Sequence, residues 1–271
     1  MLTQVTRGER VYFAAVGLLA LWVGVWGFFI PDQVGKALPF LVPPLHARFL
    51  GAMYLSGLTF MVGAIRARSW AEARIVPPIT AVWTGGLLIV SLLHLDAFDL
   101  GQPQDAVWFA AYLAYPLIAL GLIFRHRGGD AHQRAHGPEI SVGARRYLTG
   151  QGVVASALGT ALFLVPGTMA DRWPWPISGL LAQLYSAPLL AYGVGSLLLS
   201  RQRTWPEVRV GLIGILVFAV GVLVGSLLHR DLFSADRPAT WLWFGAFVVA
   251  VASLARWSVP AVSASRAAST A

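Results

Sequence analysis

The sequence predicts an all-α polytopic membrane protein: eight transmembrane helices, built as two tandem four-helix repeats related by a pseudo-two-fold axis along the membrane normal. Three observations predict it. Hydrophobic residues make up 57% of the 271 residues and charged residues only 12%, with a mean hydropathy of +0.67. A soluble domain carries about 25% charged residues. Apolar runs long enough to cross a hydrocarbon core of about 30 Å recur eight times. Finally, SLLHLDAF at 91–98 returns as SLLHRDLF at 226–233, and a gapless shift of 135 aligns 10–122 with 145–257 at 30 of 113 positions. Composition alone would give about ten identities.

The elements follow in order. The basic leader MLTQVTRGER precedes the first run, 11–30, in the manner of a signal peptide. That run is long enough to span, rich in Trp and Phe, and lacks an A-x-A-like cleavage site, so it reads as a retained first helix. The next three runs, 46–65, 75–95 and 106–124, complete a first unit over residues 1–124. The segment 125–146, RHRGGDAHQRAHGPEISVGARR, is polar, basic and Gly-bearing, and reads as a flexible inner linker. Runs 147–165, 179–199, 208–228 and 241–258 form the second unit over 147–258, and a disordered tail is expected over 259–271. Continuous runs without ten-residue alternation favour helices over a barrel. Four spans per unit is an even number, so both units enter from the same side and an inverted repeat is excluded.

The net charge of +8 does not point to nucleic acid, because the cations cluster between apolar runs. With the N-terminus inside, fifteen of the 20 Lys and Arg residues fall on inner segments. Only Lys36, Arg48, Arg172, Arg230 and Arg237 fall outside. This bias places both termini in the cytoplasm of a cell with the protein in its inner membrane. Trp70, Trp205 and Trp257 on one side and Trp108, Trp173, Trp175, Trp241 and Trp243 on the other read as interfacial anchors. The lipid bilayer, and a hydrophobic ligand or partner membrane protein, are the expected partners.

Two polar constellations stand out. His94 and His229 close the third and seventh runs, each followed two residues on by Asp96 or Asp231. They read either as polar caps ending a span or as paired ligand sites on an outward rim. His46 and Arg48, in PPLHARFLG, open the second span, with Leu181 and Gln183 as their counterparts in the second unit. Two cations at a helix start oppose its dipole. Arg48 therefore snorkels to headgroups, pairs with a nearby Asp, or marks an anion-receptive site. No Asp, Glu, Lys or Arg is expected deep within a span, which argues against ion-coupled transport. His132 and His136 share a spacing suited to a metal but lie in the linker, where solvated side chains are expected.

The chain has no cysteine, and phosphate-loop, dinucleotide, HExxH and GxSxG motifs are absent. No catalytic residue, metal or cofactor follows from the residues. A haem held by His94 and His229 remains one alternative, and permeation of an apolar or weakly polar solute another. At PLHARFLGAMYLSGL, residues 44–58, the chain resembles the small four-helix DoxX-like membrane families, over one helix of each unit. Gln183 replaces the characteristic Arg in the second unit. The resemblance implies an accessory membrane role and carries over no catalytic residue. The reading is a non-enzymatic accessory or binding protein whose outward rim receives a lipid-like or hydrophobic ligand.

Overall fold

The computed structural model describes residues 3–36, 43–128 and 133–258. Ten α-helices are present among them: α1 (Arg7–Phe29), α2 (Pro44–Arg66), α3 (Trp70–Ala73), α4 (Val76–Leu93), α5 (Pro103–Arg125), α6 (Val142–Leu164), α7 (Pro166–Arg172), α8 (Gly179–Ser200), α9 (Trp205–Leu228) and α10 (Pro238–Ser258). With α3 running into α4, eight helical segments are long and apolar enough to cross a membrane. The chain is an all-helical, multi-pass membrane protein.

Several helices begin before the apolar runs do, because their start signals lie in the polar flanks. Thr6 and Glu9 form a capping box at α1, and at α9 Glu207 accepts from the Thr204 amide in the same spacing. Ser141 and Ser178 accept from backbone amides to open α6 and α8. Proline takes the first position of α2, α5 and α10, where its missing N–H costs nothing.

One shared core holds both halves. Helices α2, α4, α8 and α9 are inner, with 56–67% of their most apolar stretch buried, whereas α1, α5, α6 and α10 have 11–44% buried. The outer helices lean on inner ones: α1 on α2, α5 on α4, α6 on α8 and α10 on α9. Between halves, α2 packs on α9 and α4 on α8, while α2 and α4 touch only lightly. Positions 135 apart do the same work. A Cβ at Gly86 would stand 2.8 Å from Ala187 Cβ, and one at Gly221 would stand 2.7 Å from Ala52 Cβ. Small residues at these two crossings let helices of opposite halves approach, which replaces the hydrophobic drive that lipid removes.

Trp108 and Trp243 each donate Nε1–H to Ser91 or Ser226 Oγ at 2.9 Å. The serines of the repeated phrase therefore pin each half's last helix to its third long one. His94 and His229 then end α4 and α9 with matching backbone (φ −127°, ψ 43° and φ −122°, ψ 34°), and a short 3-10 turn follows each.

The described residues between α5 and α6 are packed and hydrogen-bonded. His126 stacks on Trp70 at 3.8 Å and meets Glu9 Oε1 at 2.8 Å. Residues 133–141 cross the ends of α4 and α9: Ala135 N–H donates to Glu207, Ile140 N–H to Arg203 O, and Pro138 O accepts from Trp205. A buried carboxylate, Glu207 at 1% exposure, needs those donors, and the segment supplies one. His132 and the 259–271 tail lie outside the described residues; among those described, no metal-type cluster of three His, Cys, Asp or Glu occurs.

Candidate rim site

The rim residues sit where α2, α4, α8 and α9 end on one side of the bundle. Position 48 and its counterpart 183 each reach the cap histidine of the opposite half. Arg48 Nη1 lies 2.5 Å from His229 Nε2, and Gln183 Oε1 lies 2.5 Å from His94 Nε2. The chemistry of the two clasps is opposite. A guanidinium only donates, so His229 Nε2 must accept, which puts the proton of a neutral ring on Nδ1. Gln183 donates its Nε2–H to Phe163 O at 3.0 Å, leaving Oε1 to accept from His94. The second clasp holds no guanidinium and its amide is satisfied. The first carries a whole positive charge.

That charge has no carboxylate partner within ion-pair distance among the described residues, and Arg48 Nε is enclosed without a hydrogen-bond acceptor. Burial, and then the Arg48 charge, push the His229 imidazole below its ordinary range, with Asp231 opposing. The ring is thereby held neutral, as its contact with Arg48 requires.

His46 is buried at 5% exposure. Its Nδ1 meets Tyr185 Oη at 2.6 Å, Trp175 Nε1 approaches at 3.5 Å, and Phe49 packs on Tyr185 at 4.6 Å between centroids. His46 is thus part of an aromatic floor beneath the rim and does not share the Arg48 contact. Trp173 and Trp175 belong to the same floor, at 3% and 1% exposure. They pack into the bundle against Tyr185 and Trp243, so they are not headgroup anchors; Trp241, 67% exposed, is placed as one.

Asp96 and Asp231 are exposed and hydrogen-bond neither histidine. The sequence brackets His94 with Asp96 and His229 with Asp231; the fold instead sends each imidazole Nε2 across to the other half. A haem bound by both histidines through Nε2 would have to break both clasps. The buried carboxylates Glu9 and Glu207 escaped the sequence reading, although TRGE and TWPE carry the S/T-x-x-E signature of a capping box.

Comparison with known protein families, with curated proteins and with solved structures found no match for the chain.

Proposed function

We propose that this is a non-enzymatic accessory or binding protein of the inner membrane, whose outward rim receives the anionic end of a lipid-like ligand at Arg48. One observation carries the reading: of two equivalent clasps, one bears a guanidinium with an unaccepted N–H and no carboxylate beside it. An anionic headgroup supplies the missing acceptor and the missing charge together. The aromatic floor of His46, Phe49, Trp175 and Tyr185 supports it by keeping the apolar part of the ligand at the rim. The resemblance to DoxX-like accessory proteins at residues 44–58 points the same way. In this reading the two units arose by tandem duplication, stand about a pseudo-two-fold axis along the membrane normal, and have diverged so that one clasp alone kept a charge.

The test is what co-purifies. Mild extraction and mass spectrometry should find an acidic amphiphile on the wild-type protein, and Arg48→Gln should retain at least about fivefold less, near the ~1 kcal/mol of one arginine at a membrane surface. Equal retention by Arg48→Gln would remove the reading.

The orientation rests on the arginine bias and is checked separately. Single cysteines at Gln102 and at Arg203, in a chain with none of its own, can be treated with an impermeant thiol reagent in intact cells. Position 102 should label and position 203 should not; the opposite pattern would place the rim on the cytoplasmic side.

A further inference from the structure

The second half contains an opening that is narrower and divided in the first. Between α6 and α10 lies an apolar groove of ≈ 510 Å³, floored by Tyr192 of α8 and Phe218 of α9. This is within the roughly 300–1,000 Å³ of small-molecule sites. In the first half, the equivalent helices α1 and α5 are tied by two tyrosines. Tyr12 Oη donates to Tyr115 O at 2.9 Å, and Tyr115 Oη donates to Ala15 O at 3.3 Å. The corresponding space is split into ≈ 40 Å³ beside Tyr115 and ≈ 230 Å³ between Leu19, Trp22, Val107 and Trp108. Tyr147 is the counterpart of Tyr12, but Tyr115 has become Ala250, which lines the groove. The carbonyl that Tyr12 reaches is backbone and is kept at Ala250, but the Tyr115 hydroxyl bond has no counterpart there and its ring no longer fills the space, so the groove between α6 and α10 is wider.

Shape and charge then specify the occupant. On α10 the lining runs from Ala239 to Ala250 and on the antiparallel α6 from Tyr147 to Leu158, each a rise of about 16 Å, so the groove runs from Arg172 past the middle of a ~30 Å hydrocarbon core. The groove is open sideways between two helices that are mostly lipid-facing. Its one charged lining residue is Arg172, exposed at the end where α7 meets Trp173, and Arg237 stands beside it with Nη1 3.4 Å from Trp173 O. The corresponding residues of the first half are Ala37 and Gln102. An apolar trough with arginine at one end matches an acyl chain below an anionic phosphate.

We propose that the α6–α10 groove is a binding site for an anionic phospholipid of the leaflet on the Arg172 side, its chain along Tyr192 and Phe218 and its phosphate at Arg172. This site is separate from Arg48 and stands whether or not the rim binds anything.

The experiment uses the full chain, exchanged into vesicles of phosphatidylglycerol and phosphatidylcholine with matched chains, then released for native mass spectrometry. The wild type should keep one lipid that is insensitive to Arg48→Gln, with about a fivefold preference for phosphatidylglycerol. Ala250→Tyr, which restores the ring that narrows the first half, should lose that lipid. Arg172→Gln should keep a lipid but lose the preference. Tyr115→Ala should open the first half and add a second lipid without headgroup preference, a gain that does not depend on Ala250→Tyr folding. Unchanged retention in Ala250→Tyr would overturn the proposal. So would undiminished preference in Arg172→Gln, no added lipid in Tyr115→Ala, or a wild-type dimer that Ala250→Tyr dissociates, because a second copy would then cover the groove.

Discussion

Glu207→Ala should cost about 3–5 kcal/mol, the range for removing one partner of a buried, hydrogen-bonded charge pair. Glu207 accepts from Ala135 N–H at 3.1 Å, Arg203 N–H at 3.0 Å and Thr204 N–H at 3.3 Å, and pairs with Arg74 Nη2 at 3.1 Å. Its removal strands the three backbone donors, takes the carboxylate from Arg74, and cuts one of the bonds that hold residues 133–141 to the start of α9. Glu72, the counterpart in the first half, receives only the Ser69 hydroxyl at 3.4 Å among the bonds seen at its carboxylate and is part-exposed. Glu72→Ala should therefore cost about 1 kcal/mol or less. Unfolding of both variants in detergent measures the contrast. Similar melting of the two would show that the inner segment is not anchored at Glu207.

Gly51→Ala should be nearly as damaging, at about 1–3 kcal/mol for forcing one methyl into a filled space. A Cβ there would run into the backbone nitrogen of Phe28, and the facing Gly27 has only 2.8 Å to Ala47 O. Backbone cannot rotate away as a side chain can, so α1 must lift from α2 along its length. Gly121 on α5 has nothing within 4 Å of its would-be Cβ. Gly121→Ala should be neutral or stabilise by up to about 1 kcal/mol through helix propensity. Thermal unfolding of the pair separates close packing from propensity; equal shifts would mean that the α1–α2 approach is looser than described.

The spans and the repeated phrase were legible because they are local: apolar length, proline at helix starts, and SLLH at two helix ends all lie within a few residues. The rim contacts were not. His229 finds Arg48 at a separation of 181 residues, and His94 finds Gln183 at 89. Nothing in either local stretch says that a helix cap will reach into the opposite half rather than toward the Asp two residues on. His46 was hidden for the same reason, since Tyr185 and Trp175 come from the other half. The alignment did hold a usable signal. Position 48 pairs with 183 in the repeat, so a shared partner type at 94 and 229 implied two comparable contacts with different charge. The capping-box glutamates were legible too, in TRGE and TWPE, because their spacing is fixed by the first helical turn.

The rim reading reduces to one residue difference between two equivalent places, and exchanging that difference tests it most directly. Binding of a short-chain phosphatidylglycerol is measured on the wild type, on Arg48→Gln and on Arg48→Gln combined with Gln183→Arg, all at one pH. Arg48→Gln should weaken binding at least about fivefold, and adding Gln183→Arg should restore most of the loss by moving the charge to the His94 clasp. Binding that is the same in all three proteins would contradict the account, because the charge that distinguishes the two clasps would then have nothing to receive.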